Sequence, residues 1–195
     1  IQSLFLQMIQ RKIKRKIDEW RFSSSIKNSR KQVYLEMNKE KRPVVYIDMD
    51  GVLADLAKGA TLHPRNIDEV YHNRPDEIEG VFRTLPEISK AVESVIQLYE
   101  SQKYDLFVLT TAPWGNPSAW IDKRLWIEEK FGEIFKKKII ISHRKDLLVG
   151  EFLIDDRLAN GAENFKGTHL HFGWDYENEK WNEYRDWESI LKRLL

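Results

Sequence analysis

Four groups of polar residues stand where apolar runs of the sequence stop, and their types suit phosphate chemistry. The groups are Asp48-Met49-Asp50-Gly51, Thr110-Thr111, Lys145 and Asp155-Asp156. The apolar runs before them have the β-branched and aromatic composition of buried strands. In open parallel sheets, ligands bind outside the carboxyl ends of the strands. The sequence therefore predicts that these groups share one site.

The chemistry of such a site follows from the charges that it would bring together. Asp48, Asp50 and one or both of Asp155 and Asp156 would repel one another without a cation. A hard divalent cation with oxygen ligands resolves this repulsion, and Mg²⁺ is usual where phosphate is also bound. Threonine donors and a lysine can neutralise phosphate oxygens, and a carboxylate can attack phosphorus. These residues predict a magnesium-dependent phosphohydrolase.

Each group taken alone also has an ordinary structural explanation. An Asp-x-Asp-Gly segment is often only a turn after a strand, and paired threonines favour strands. A single lysine is usually solvated, and Asp155-Asp156 could cap a following helix. The joint pattern, in this order along the chain, favours a functional site over these separate explanations.

The same residues resemble the motifs of a known family. The segment Asp48-Met49-Asp50-Gly51-Val52-Leu53-Ala54-Asp55 resembles the first motif of the haloacid dehalogenase superfamily, and especially its 5′(3′)-deoxyribonucleotidase branch. Thr110-Thr111, Lys145 and Leu153-Ile154-Asp155-Asp156-Arg157 are similar to the second, third and fourth motifs. The resemblance spans about residues 44–172, and it implies a Rossmann-like parallel sheet with a small helical cap.

The resemblance also implies a role for each residue. Asp48 would be the nucleophile and a metal ligand, while Asp50 would act as acid and base and contact the metal through its backbone carbonyl. Asp156 would be the direct carboxylate ligand of Mg²⁺, with Asp155 supporting or sharing that role. Thr110, the amide of Thr111 and Lys145 would hold the phosphate.

The elements that must position these residues alternate along the chain. Strands are predicted at 44–47, 106–109, 139–141, 152–154 and 168–172. Helices are predicted from Pro86, from Ser118 to about Phe131, and over 187–195. This alternation is typical of an α/β fold with a mainly parallel, buried sheet.

Charge divides the chain into two predicted parts. Residues 1–43 contain 12 Lys or Arg and 4 Asp or Glu, whereas the remainder contains 20 and 27. We interpret 1–42 as a basic amphipathic helical extension with a linker and 43–195 as the phosphohydrolase domain. The extension could dock or dimerise, form an unstructured leader, or bind nucleic acid or a membrane surface, and the last two partners are the least favoured.

Substrate recognition is the least determined part of the sequence. The predicted cap at about 56–84 has few aromatic residues, Tyr71 and Phe82. Trp114 follows the phosphate-binding threonines and could stack on a base or pack against its own loop. His143 stands where mammalian members of the branch carry an arginine, and a surface histidine is the plainer interpretation.

The expected substrate is a small phosphorylated compound, first a (deoxy)nucleoside 5′-monophosphate. The alternatives are a sugar phosphate, or a nucleic acid whose phosphate ends are bound or trimmed. The chain has no cysteine, which excludes thiol catalysis and disulfide frameworks. Its apolar runs are shorter than the ~20 residues of a membrane span. A cytoplasmic enzyme, with a homodimer as one option, is the expectation.

Overall fold

The fold was analysed in a computed structural model that describes residues 42–67, 69–71, 73–176 and 178–195. Within these residues the main sheet has five parallel strands: β1 (Val44–Ile47), β2 (Asp105–Thr110), β3 (Ile139–Ile141), β4 (Phe152–Asp155) and β5 (Thr168–His171). Their order is β3-β2-β1-β4-β5. The predicted α/β class is confirmed, and the five predicted strands agree with these to within one residue at each end. Residues 1–41 of the predicted extension 1–42 lie outside the described part.

The order of the strands fixes where a ligand can bind. The chain moves outward from β1 through β2 to β3 and then returns to β4 on the other side of β1. A reversal of this kind opens a crevice at the carboxyl ends of the two central strands. Asp48 follows β1, and Asp155 ends β4. The sheet topology therefore places these carboxylates at the crevice.

The central strand is hydrophobic on both faces because both are covered. Val45 and Ile47 are fully buried on one side, and Tyr46 packs with Phe165 on the other. Continuous apolar runs are typical of parallel strands that are covered on both faces. Burial of each such aliphatic side chain stabilises the fold by about 1.5–3 kcal/mol, which anchors the strand that carries Asp48.

Four helices pack around the sheet in the described residues: α1 (Leu56–Leu62), α2 (Ala91–Glu100), α3 (Ala119–Phe131) and α4 (Trp187–Leu194). The prediction that α2 begins at Pro86 is wrong. Pro86 O instead accepts a hydrogen bond from Asp55 N, and Ile88 N donates to Leu53 O. Lys90 then has a left-handed φ of 62°. The segment before Ala91 is thus hydrogen-bonded to the loop after β1, and the helix begins only after it.

The segment expected to form the cap consists of α1 followed by short 3₁₀ turns. The turns span Pro64–Ile67, Glu69–Tyr71, Pro75–Glu77 and Val81–Arg83. Asn116, in the loop after β2, donates to the carbonyls of Asp76 and Ile78. The Ser118 hydroxyl accepts from Gly80 N instead of capping α3, although Ser118 occupies the predicted N-cap position. These bonds attach the cap segment to the loop that carries Thr111.

The last helix supports the turn after β1. Trp187, Ile190 and Leu194 form its buried stripe, and Asp186 with Ser189 forms a capping box at its start. The indole N–H of Trp187 donates to the Val52 carbonyl at 2.9 Å. A capping box satisfies two of the donors left open at a helix start. The helix is therefore well fixed where it contacts the turn below the crevice.

Candidate active site

The turn after β1 holds Asp48 at the centre of the crevice. Asp48 N donates to the Ile154 carbonyl of β4 at 2.9 Å, so the residue is fixed between the two central strands. Gly51 has a φ of +73°, and a side chain there would collide with the carboxylate of Asp156. Glycine is thus needed at this position for its backbone conformation and for the close approach of Asp156.

Lys145 and Asp155 form a buried ion pair beside Asp48. Both side chains are almost fully buried, and Lys145 Nζ lies 3.1 Å from Asp48 Oδ1 and 2.5 Å from Asp155 Oδ2. The second oxygen of Asp155 accepts a hydrogen bond from Arg157 N at 3.0 Å. Both oxygens of Asp155 are therefore occupied, and the ammonium of Lys145 lies between Asp155 and Asp48.

Asp156 has a different environment from its neighbour in sequence. Its Oδ1 is buried and has no hydrogen-bond partner among the described residues. Asp48, Asp155 and Asp156 each offer an oxygen, and these oxygens lie within 4.8 Å of one another. A buried carboxylate oxygen without a partner fits a hard cation with oxygen ligands such as Mg²⁺. The geometry thus favours Asp156 as the more available ligand of the pair.

The charges in this cluster perturb one another strongly. Burial is the largest cause that raises the pKa of Asp156 well above its ordinary value, and the charge of Asp48 is the second. The same two causes raise the pKa of Asp155, although Lys145 acts to lower it. Burial lowers the pKa of Lys145, but the negative charges of Asp48 and Asp155 outweigh this effect, so that the pKa is raised. Clustered carboxylates with raised pKa values are typical of a site built for a cation or for proton transfer.

The two threonines lie on the β2 side of Asp48. Thr110 is fully buried at the end of β2. The Thr111 hydroxyl donates to the Ser142 carbonyl at 2.8 Å. That bond occupies the hydroxyl proton of Thr111. The phosphate contacts of Thr110 and of the Thr111 amide stay predictions.

Sequence reasoning missed Lys123 of α3. Its side chain is fully buried, and its ammonium donates to Asp50 Oδ2, to Thr110 Oγ1 at 3.0 Å and to the Thr111 carbonyl at 2.6 Å. Lys123 stands four residues after Ala119 and four before Ile127, both buried, so it lies on the apolar stripe of the helix. A lysine on such a stripe is rarely buried unless it is paired. That position was the signal available in the sequence.

Asp50 stands apart from the three clustered carboxylates. Its Oδ2 is paired with Lys123, and its Oδ1 is buried without a partner among the described residues. Burial raises the pKa of Asp50 and Lys123 opposes this effect. One oxygen of Asp50 is therefore held by a cation and the other has no partner among the described residues. The acid and base role of Asp50 and its contact with the metal through the backbone carbonyl stay predictions.

Trp114 lies on the surface of the loop after β2. It is 85% exposed and makes an edge contact with the His143 ring, at 6.4 Å between ring centres. The alternative in which Trp114 packs into its own loop is not supported by this exposure. Trp114 and His143 thus form an aromatic pair joining the loops after β2 and β3.

The chain was also compared with known proteins. The family described as "5′ nucleotidase, deoxy (Pyrimidine), cytosolic type C protein" matches residues 59–192, more than half of the chain. This chain belongs to that family. The resemblance noted in the sequence is confirmed, and the protein is a nucleotidase-type phosphomonoesterase.

Two relatives illustrate the range of similarity. A putative 5′(3′)-deoxyribonucleotidase of Vibrio phage KVP40 is 40% identical over 156 residues, which are 80% of this chain and 86% of the relative. A 5′(3′)-deoxyribonucleotidase of Bacillus subtilis is 25% identical over 175 residues, with 79% and 99% covered. A class C acid phosphatase from Bacillus anthracis with tungstate bound has a TM-score of 0.37 at 11% identity, covering 57% and 45% of the chains.

The next feature is the length and apolar character of the helices in the described residues. None of their helices has the length and the apolar character that crossing a bilayer requires.

Proposed function

We propose that this protein hydrolyses (deoxy)nucleoside 5′-monophosphates with Mg²⁺ and an aspartyl-phosphate intermediate on Asp48. The observation that carries the proposal is the environment of Asp48. It stands at the crevice beside the ammonium of Lys145, within a group of three carboxylates that includes the unpartnered oxygen of Asp156. The substrate class is supported by the family and by relatives named as deoxyribonucleotidases.

The donor set fits a magnesium ion. Asp48 and Asp156 would hold it through carboxylate oxygens, with Asp50 contributing its backbone carbonyl. Bound Mg²⁺ would supply charge neutralisation for the phosphate oxygens and for the carboxylates themselves. Asp155 is less suited as a direct ligand because Lys145 and Arg157 N already occupy its oxygens.

The residues of the chain then divide the reaction into two steps. In the first, a carboxylate oxygen of Asp48 attacks phosphorus, the bond to the leaving oxygen breaks, and Asp50 gives that oxygen its proton. In the second, Asp50 takes a proton from water, the resulting hydroxide attacks phosphorus, and the bond to Asp48 breaks to release phosphate. Thr110, the Thr111 amide and Lys145 hold the phosphate oxygens through both steps, which stabilises the charge that develops there.

The nucleoside would lie beyond the phosphate, toward the exposed loops. Trp114 is exposed next to the phosphate-binding threonines, and an aromatic face there can stack on a base. The bonds from Asn116 to the cap segment hold this loop in place. We propose Trp114 as a substrate contact on this basis. A cytoplasmic location and a homodimer stay predictions.

A phosphate-release screen tests the substrate class. Purified protein with Mg²⁺ is assayed against nucleoside and deoxynucleoside 5′-monophosphates, sugar phosphates and a 5′-phosphorylated oligonucleotide. Preference for the mononucleotides supports the proposal. Preference for sugar phosphates would replace it with a small-metabolite phosphatase, and preference for the oligonucleotide with an end-trimming enzyme.

The nucleophile is tested with Asp48→Asn. We expect a folded protein with essentially no turnover, since the amide cannot attack phosphorus as a carboxylate does. Chelation of the wild-type protein should abolish activity, and added Mg²⁺ should restore it. Near-normal turnover by the variant would exclude the covalent mechanism, and undiminished hydrolysis in chelator would exclude the metal.

A further inference from the structure

Lys123 has a buried ammonium whose donors are all engaged. A lysine ammonium has three N–H donors and no acceptor. In Lys123 they meet Asp50 Oδ2, Thr110 Oγ1 and the Thr111 carbonyl. No donor therefore remains for a phosphate oxygen. This distinguishes Lys123 from Lys145, which lies against Asp48.

The cap segment closes the remaining side of the ammonium. The Phe82 ring lies 4.4 Å from Lys123 Nζ, and Phe82 is itself fully buried. A cation over an aromatic face is attracted by the ring, and the attraction is larger when water is excluded. Phe82 thus packs on the ammonium beside Asp50 and shields the ammonium from solvent.

Burial of an ammonium costs desolvation free energy, and a contribution to folding stability does not by itself explain why Lys123 is buried. Replacement of a buried ion pair by apolar residues is often neutral or stabilising. Here the pair joins helix α3 to Asp50, 73 residues earlier in the sequence. It fixes Oδ2 of Asp50 and leaves Oδ1 without a partner among the described residues. The constraint acts on the side chain that must transfer the proton.

We propose that Lys123, held by Phe82 of the cap segment, is a positioning residue that orients Asp50 for proton transfer to the leaving oxygen. The proposal rests on the role given to Asp50 in the proposed function. It assigns the cap a part in catalysis through Phe82, separate from any contact with the substrate. Thr110, which shares the same ammonium, is aligned with Asp50 by the same bond network.

The test compares substrates whose leaving oxygen needs a proton from Asp50 with substrates whose leaving oxygen does not. An alkyl phosphate such as a nucleoside monophosphate needs a proton on its leaving oxygen, whereas p-nitrophenyl phosphate expels a stable anion without one. Lys123→Met should lower kcat for the alkyl phosphate by about 10²–10⁴-fold, the usual contribution of a general acid. KM should stay within about threefold, because the ammonium does not contact phosphate.

With p-nitrophenyl phosphate the same variant should still form the aspartyl-phosphate. The expected signal is a rapid burst of p-nitrophenolate, equal to the enzyme concentration, before a slow steady state in which Asp50 must activate water. Arg124→Met is the matched control, since it removes a positive charge from an exposed position of the same helix. The Arg124→Met variant should hydrolyse both substrates at the rates of the wild-type protein.

The absence of cysteine allows a direct rescue. Lys123→Cys, alkylated with 2-bromoethylamine in denaturant and refolded, regains a lysine-like ammonium at this position alone. Activity toward the alkyl phosphate should return with it. If Lys123→Met does not fold, Phe82→Leu provides the same comparison, with a smaller loss that again spares the burst.

Three results would overturn the proposal: full kcat of Lys123→Met on the alkyl phosphate, equal loss of burst and steady state in the folded variant, or no rescue by alkylation. The outcome is separate from that of the substrate screen. If nucleotides are not hydrolysed, the comparison is made with whichever alkyl phosphate the wild-type protein cleaves. The role of Lys123 is then supported or rejected although the substrate class has failed.

Discussion

Asp155 and Asp156 are adjacent and chemically identical, yet the structure predicts different effects when each is replaced by asparagine. Asp156 Oδ1 has no partner in the described residues, and its nearest carboxylate oxygens lie within 4.8 Å. Asp155 accepts one hydrogen bond on each oxygen. The perturbations are Asp156→Asn and Asp155→Asn, and the assay is thermal unfolding with and without Mg²⁺.

The metal-free protein should gain stability from Asp156→Asn. Two like charges 4.8 Å apart repel by about 3.5 kcal/mol at an effective dielectric constant of about 20. Protonation of Asp156 relieves this repulsion. From an ordinary pKa near 3.9, that protonation costs at most about 4 kcal/mol at pH 7, so the gain cannot exceed this value. We expect a gain of about 1–3 kcal/mol, or a melting temperature higher by roughly 2–12 °C.

The pH dependence of this gain has a definite sign. The folded protein raises the pKa of Asp156. The metal-free wild type therefore loses stability as the pH rises above the pKa of the unfolded chain, because the folded state retains a proton that the unfolded state releases. The Asp156→Asn variant should not show this pH-dependent loss of stability, because asparagine has no titrating carboxyl group. The difference between the two proteins should be largest at neutral pH and small near pH 4.

Asp155→Asn should leave the metal-free protein less stable than Asp156→Asn does, because the charge that it removes repels Asp48 but also pairs with Lys145. An asparagine has one acceptor oxygen, whereas Lys145 Nζ and Arg157 N both need one. One buried donor is then left unsatisfied, at a cost of about 1–3 kcal/mol. In Mg²⁺ at about 100 times its Kd, the wild type should gain about 2.7 kcal/mol, and Asp156→Asn should lose more of this gain than Asp155→Asn does. A lower metal-free melting temperature for Asp156→Asn, or equal effects of the two variants, would refute the assignment.

Three further predictions concern the surroundings of the site. Trp114→Ala should raise KM for nucleotides by an amount worth about 1–3 kcal/mol and leave KM for a small phosphate ester without an aromatic ring unchanged, and equal effects in steady-state assays would mean that Trp114 only supports its loop. Asn116→Ala should lower the free energy of unfolding in urea by about 1–3 kcal/mol, because its amide donates to the carbonyls of Asp76 and Ile78; an unchanged midpoint would show that these bonds do not hold the cap segment. Deletion of the extension, residues 1–42, should preserve turnover per folded molecule while size-exclusion chromatography reports any change in oligomeric state, and an unfolded product would show that the extension belongs to the core.

The sequence determined the sheet and the positions of most candidate site residues. A buried parallel strand needs a continuous apolar run, so each strand is visible where the run begins and ends. The residue at the end of such a run must lie at the carboxyl edge of the sheet. Asp48, Thr110 and Asp155 could therefore be placed in one crevice without a structure, and Lys145, which follows the run 139–141, could be placed there with them.

Contacts between distant segments were decided by the tertiary structure alone. Helix α2 begins at Ala91 because Pro86 and Ile88 bond to the loop after β1, which helical periodicity does not reveal. The different environments of Asp155 and Asp156 depend on which oxygen meets Lys145. The pairing of Lys123 with Asp50 depends on the packing of α3 against the crevice. Periodicity shows which face of an element is buried, but the partner of a buried charge is set by which elements meet there.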